Sequence, residues 1–289
     1  MTGGVYLSFH EYPNLYVEHV TLKVKDLEKM ISFYKEIIGF QILEQTDSKA
    51  ALSADGKTAL VYLEKLEEAK DKRSRTTGLY HFALLVPTRE DLGVQLQHLL
   101  ASGYPLQGAS DHNVSEALYL GDPEGNGIEI YRDRAADEWA WDGEFVKMDT
   151  LQMDAQGVLD SRNQLQWNGL PKGTKMGHIH LHVAELGETA DFYVKGLGFD
   201  IVQKYGTQAY FISTGKYHHH IGLNTWNGVG APAPKETNPG MKYFDLKVPS
   251  HTVREEMAAR LADMNAEIKK DDDAYYVKDP SGNTIRLVL

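Results

Sequence analysis

Four stretches of the chain open on an alternating or apolar run: His19-Val20-Thr21-Leu22-Lys23-Val24, His81-Phe82-Ala83-Leu84-Leu85-Val86, His178-Ile179-His180-Leu181-His182-Val183 and Tyr243-Phe244-Asp245-Leu246-Lys247-Val248. Each run predicts a β-strand. A helical pattern follows. Over residues 26–38, Leu27, Met30, Ile31, Tyr34 and Ile38 share one face at helical spacing. Short strands then alternate with turn signals such as Asp55-Gly56 and Asp122-Pro123-Glu124-Gly125. The local reading is strand, helix, three strands.

That unit recurs. Residues 19–43 resemble 178–202 at a constant offset of 159, with His19 on His178, Leu27 on Leu186, Phe33-Tyr34 on Phe192-Tyr193 and Gly39-Phe40 on Gly198-Phe199. HFALLVP at 81–87 resembles YFDLKVP at 243–249, and Asp122-Pro123-Glu124-Gly125-Asn126 resembles Asp279-Pro280-Ser281-Gly282-Asn283. The repeat predicts four modules, at 15–66, 77–133, 176–226 and 240–289. Residues 133–175 read as a long irregular connection and 227–240 as a Pro/Gly linker.

Composition narrows the function. The 289 residues carry a net charge of −11 and no Lys/Arg block, which disfavours nucleic acid as a partner. No apolar run approaches the ~20 residues that cross a membrane, and the N-terminus shows no secretory leader pattern. There is no cysteine, which removes disulfides, thiolate nucleophiles and Cys-held metals together. Any metal must therefore be held by His, Asp or Glu, and the cytoplasm is the expected compartment.

Four βαβββ modules in tandem resemble the vicinal oxygen chelate superfamily. The resemblance implies an α+β fold in which the modules pair into two curved-sheet half-barrels, with metal ligands drawn from the first and last strands of the paired modules. At the first-strand position the modules carry His19, His81, His178 and Tyr243; at the last-strand position they carry Leu60, Glu129, His219 and Arg286. Within the second module, the run His112, Leu118-Tyr119, Asp122-Pro123, Gly125 and Glu129 is very similar to the signature of the extradiol ring-cleaving dioxygenases. It departs at Ser110, which that signature does not usually contain and which bears on the loop shape. The resemblance implies Glu129 as an iron ligand, Tyr119 as a hydrogen-bond partner of a substrate oxygen and His112 as its support. Tyr217-His218-His219-His220 is similar to that family's paired-histidine strand, and by register the acid/base role falls on His219. Strand alternation would put His218 and His220 on the opposite face.

Two module pairings give a complete ligand triad. Modules 1 and 2 offer His19, His81 and Glu129; modules 2 and 3 offer His178, His81 and Glu129. The second is preferred because it also brings His219 to the metal. The fourth module is no metal module, since the guanidinium of Arg286 cannot ligate a cation. The expected metal is Fe(II), with Mn(II) as the alternative. Two imidazoles and one carboxylate on one face leave three positions open, room for a small aromatic diol and O2. Ring cleavage also needs a proton shuttle, which a histidine suits.

The implied activity is extradiol cleavage of catechol or a substituted catechol. A glyoxalase-type isomerase or lyase is the alternative, but it wants a second carboxylate opposite Glu129, where Leu60 or His219 stands. A non-catalytic drug-binding resistance protein is the other, against which the triad counts. A homo-oligomer is expected by analogy alone. His180 and His182 are expected to be structural, Phe33-Tyr34 and Phe192-Tyr193 to be core, His10, His98 and His251 to be surface, and Asp271-Asp272-Asp273 to form a solvated turn.

Overall fold

The computed structural model describes residues 8–271 and 274–289. Asp272 and Asp273 of the expected acidic turn lie outside the described residues. In chain order the first stretch holds β1 (Tyr16–Val24), α1 (Leu27–Phe33), β2 (Gln41–Gln45), β3 (Lys49–Ser53) and β4 (Ala59–Lys65). The second holds β5 (Gly78–Leu85), α2 (Arg89–Ser102), β6 (Leu106–Asp111), β7 (Ser115–Gly121) and β8 (Gly127–Asp133). The connection that reads as irregular carries short elements of its own: β9 (Trp141–Asp142), β10 (Phe145–Val146), β11 (Leu151–Gln152) and α3 (Ala155–Ser161). The third stretch holds β12 (Lys175–His182), α4 (Leu186–Asp191), β13 (Asp200–Tyr205), β14 (Ala209–Ser213) and β15 (Ile221–Asn224). The fourth holds β16 (Gly240–Lys247), α5 (His251–Asp263), β17 (Ile268–Asp271), β18 (Ala274–Lys278) and β19 (Thr284–Val288).

The strands form two large curled sheets. One runs β17-β18-β19-β16-β1-β4-β3-β2, drawn from the two ends of the chain; the other runs β11-β6-β7-β8-β5-β12-β15-β14-β13, drawn from its middle. In every βαβββ unit the first and last strands pair in parallel, so a crossover must join them, and the helix supplies it. At the centre of each sheet two first strands meet antiparallel, β1 with β16 and β5 with β12.

The repeated sequence pairs have local causes. Asp26, Thr88 and Ser250 cap α1, α2 and α5 by accepting the backbone N–H three residues on. The helix expected over 26–38 is α-helical to Phe33 and then widens into a π-turn, Tyr34–Ile38; Phe192–Leu197 does the same after α4. Both turns end on a glycine in the left-handed region, Gly39 at φ 99° and Gly198 at φ 89°. A side chain on Gly39 would also strike the backbone of Gly169, 2.7 Å from its Cβ position. Phe33, Tyr34, Phe192 and Tyr193 are buried. The Tyr34 hydroxyl donates to Asp122 Oδ2 at 2.9 Å, and the Tyr193 hydroxyl to Asp279 Oδ2 at 3.2 Å. Each aspartate also accepts two backbone N–H groups and an asparagine side chain of its own turn, from Glu124 and Asn126 or from Ser281 and Asn283. The Asp-Pro-x-Gly-Asn motif is therefore a buried acceptor saturated by four donors, with the tyrosine of the preceding module as the fourth.

His10 is not a surface residue. It is 8% exposed, its Nε2 lies 2.7 Å from the Gly177 carbonyl, and it packs edge-on against Tyr217 and His220. The N-terminal segment folds back over the start of β12, which sequence spacing could not foretell. Burial pushes the His10 pKa down to about 4, against the carbonyl bond that would raise it. An unfolded histidine takes its proton near 6.5. The fold's advantage is therefore whole above pH 6.5 and declines by roughly 3 kcal/mol as the pH falls toward 4. Urea unfolding at pH 7 and pH 4.5 checks this: His10→Phe should flatten that part of the pH dependence, and an unchanged slope would count against it.

Candidate metal centre

β5, β8 and β12 lie side by side at the middle of the nine-stranded sheet. His81 on β5, Glu129 on β8 and His178 on β12 are 6%, 3% and 1% exposed. Both His81 Nε2 and His178 Nε2 stand 3.1 Å from Glu129 Oε2, and one potential ligand atom from each of the three residues falls within 4.8 Å of the others. Register explains the convergence. Ala83 sits opposite both Glu129 and His178, so the ligands flank a residue too small to fill the gap between them.

The donor set suits a divalent metal. His81 Nε2 and His178 Nδ1 are buried nitrogens with no hydrogen-bond partner among the described residues. A buried imidazole left so is costly unless something else satisfies it. Burial would raise the Glu129 carboxyl, but the charge and hydrogen bond of His178, with His81 beside it, outweigh burial and hold it well below the usual range. Burial pushes His178 down to about 4, against the pull of Glu129. Glu129 is thus ionised and His178 neutral near neutral pH, the protonation states that ligation requires of them.

His81 and Glu129 open on a cavity of about 830 Å³ that Tyr119, His112, His180, His182 and His219 also line. Tyr119 on β7 is the register partner of Glu129, and its hydroxyl lies 2.7 Å from His112 Nε2. His112 Nδ1 lies 2.7 Å from the Asp149 carbonyl, which can only accept. His112 therefore carries its hydrogen on Nδ1 when neutral, and the Tyr119 hydroxyl donates to Nε2. Burial first, then the Glu129 charge, drives the Tyr119 pKa well up, so it stays a phenol. His180 Nε2 is buried with no hydrogen-bond partner among the described residues, and the ring packs among Tyr80, His81, Phe211 and Trp226. Gly222 leaves room for it, since a Cβ there would meet its ring at 2.7 Å. His182 Nδ1 is bonded to Asn224 Oδ1 at 2.7 Å.

The histidine triplet differs from its sequence expectation. His218, His219 and His220 precede β15 rather than lying in it, so strict alternation does not apply. The ring of His219 lies 4.1 Å from that of His178, and its Nδ1 is 2.8 Å from His218 Nδ1. His218 Nε2 is 2.8 Å from Asp133 Oδ1. His220 turns away and meets the Phe9 carbonyl at 3.0 Å. Burial, then repulsion from His178, His218, His180 and His81, pushes His219 well below its ordinary pKa. Asp133 was missed in the sequence, though period-two spacing from Glu129 through Tyr131 puts it on the same face of β8.

His19 lies in the other sheet. There the positions of His81, Glu129 and Ala83 are taken by Tyr243, Arg286 and Asp245. Arg286 is ion-paired with Asp245, and His19 Nε2 is 2.5 Å from the same carboxylate. A fixed guanidinium occupies the half that would otherwise mirror the metal centre.

Two curled sheets of paired βαβββ units, with two histidines and a glutamate converging in one of them, define a protein of the glyoxalase-like fold with a candidate metal site. Residues 16–130 and 175–287 match the model of the Glyoxalase/Bleomycin resistance protein/Dioxygenase superfamily, and the chain belongs to that family. It is 44% identical over 288 residues to a catechol-2,3-dioxygenase of Bacillus subtilis (strain 168), covering 98% of this chain and 99% of that protein. Among solved structures, a putative dioxygenase of the same organism superposes with a TM-score of 0.65 at 14% identity, covering 94% of this chain and 84% of that one. Glyoxalase I from Zea mays superposes at 0.59 and 17% identity, covering 95% and 92%. These two likenesses speak to the fold. Among the described residues no helix is long and apolar enough to cross a membrane.

The metal centre makes a direct prediction. His178→Ala and Glu129→Ala should each leave the purified protein with little bound metal, whereas His19→Ala should keep it. Elemental analysis after loading and desalting reads the difference; metal lost on His19→Ala and kept on His178→Ala would move the centre to the other module pair.

Proposed function

We propose that the chain is an extradiol dioxygenase that uses O2 to open the ring of catechol or a substituted catechol beside its hydroxyls, with Fe(II) held by His81, His178 and Glu129 from modules 2 and 3. Mn(II) is the alternative metal, and a cytoplasmic setting accords with the absence of cysteine. The observation that carries the reading is the buried cluster of His81, Glu129 and His178, two members of which line one cavity with Tyr119, His112 and His219. The near full-length likeness to a catechol-2,3-dioxygenase supports it.

A bound Fe(II) would supply Lewis-acid polarisation of the diol oxygens and one-electron chemistry toward O2. The chain's own residues do the rest. His219, neutral through burial, takes a proton from a substrate hydroxyl and can return it later. Tyr119 stays protonated, gives its hydrogen to His112, and with its oxygen accepts a hydrogen bond from a diol hydroxyl. Phe211, Trp226 and Tyr80 line the same cavity and give the ring an apolar wall. A glyoxalase reading lacks its second carboxylate: His219 stands at that place when modules 2 and 3 pair, and Leu60 when modules 1 and 2 do.

Anaerobic loading with Fe(II), followed by catechol and air, should give oxygen uptake and a yellow ring-fission product together, both dependent on the metal. His219→Ala should retain iron and lose turnover by ~10²–10⁴-fold. Iron-loaded protein that consumes no oxygen with catechol or any of several substituted catechols would overturn the reading and favour non-oxidative chemistry on the same scaffold.

A further inference from the structure

Behind His219 runs a chain of hydrogen bonds that leads away from the cavity. His219 Nδ1 meets His218 Nδ1 at 2.8 Å, and His218 Nε2 meets Asp133 Oδ1 at 2.8 Å. Tyr217 donates its hydroxyl to Asp133 Oδ2 at 3.0 Å and is itself 2.7 Å from the Tyr131 hydroxyl. His218 is fully buried. Among the described residues His219 makes no other hydrogen bond, so its Nε2 is left to the cavity that the residue lines.

The order of hydrogens along this chain follows from valence. An ionised carboxylate has no hydrogen to give, so the His218–Asp133 bond uses a hydrogen on His218 Nε2. A neutral His218 then shows a lone pair at Nδ1. The contact between the two Nδ1 atoms needs one hydrogen, and His219 must supply it. His219 Nε2 is consequently bare. We propose that Asp133 and His218 are positioning residues that hold His219 in its Nδ1–H tautomer, so that a lone pair rather than an N–H faces the substrate. The inference rests on the reading of His219 as the group that takes the substrate proton. In that step a substrate O–H bond breaks, its electron pair stays on oxygen, and the hydrogen forms a bond to His219 Nε2. The resulting positive charge is shared toward His218 and faces the Asp133 carboxylate. An aspartate that fixes the tautomer of a histidine base is a known device of hydrolases; here a second imidazole stands between them.

The test is long-range ¹H–¹⁵N correlation on histidine-labelled protein loaded with diamagnetic Zn(II), with His219→Gln used to identify the His219 signals. The expected spectrum has a protonated Nδ1 and a bare Nε2 on His219. His218→Phe removes the acceptor and should release that preference. In Asp133→Asn, Tyr217 still donates to the oxygen, so the amide NH2 faces His218 Nε2 and reverses the chain, placing hydrogen on His219 Nε2. In the Fe(II)-loaded enzyme both variants should lower kcat for catechol by ~10²-fold or more, with KM and iron content unchanged. A wild-type His219 protonated on Nε2 would overturn the proposal, as would a His218→Phe protein that keeps both tautomer and kcat. If wild-type iron-loaded protein fails to turn over catechols, the functional reading falls while the spectrum still decides the tautomer.

Discussion

A carboxylate taken out of water must be compensated where it lies, and Glu129 is almost completely buried. An unpaired ion there would cost several kcal/mol. The two imidazole nitrogens at 3.1 Å are the compensation the chain provides, and His178, held neutral by burial, brings little charge to it. On the proposed reading, a divalent cation between the three groups would complete the balance. The order of the nine-stranded sheet serves this arrangement: β8, β5 and β12 must be neighbours for their side chains to converge, and the Ala83 position must stay small.

The eight-stranded sheet meets the same geometry with different chemistry. Its central strands carry His19, Asp245 and Arg286, and the guanidinium supplies permanently the positive charge that a metal ion would bring to the other half. The substitution of Arg286 for Glu129 and Asp245 for Ala83 converts an open ligand set into a closed ion pair. One half of the molecule is thereby a scaffold, and the other holds the candidate chemistry.

Much of this was legible in the residues. The offset repeats marked four βαβββ units, because each recurrent pair has a local duty: Gly39 and Gly198 close a widened helical turn, and Asp122 and Asp279 gather four donors. Glu129 in an apolar strand announced a buried charge. What escaped was set by tertiary packing. The His218–His220 triplet reads as a strand, yet it lies ahead of β15, so neighbouring histidines touch instead of parting to opposite faces. His10 reads as a surface residue because nothing in its neighbourhood shows that the N-terminal segment returns to Gly177. Asp133 was on the right face of β8 by period two, but its importance depends on a partner 85 positions away.

The central claim is that His81, His178 and Glu129 together hold the metal that receives the substrate diol. An anaerobic crystal structure of the Fe(II)-loaded protein with catechol tests it most directly. The account predicts iron bound by those three side chains, both catechol oxygens on the same iron, and His219 Nε2 within hydrogen-bond reach of one of them. Iron bound elsewhere, or catechol lodged in the cavity with its oxygens turned from the metal, would contradict it.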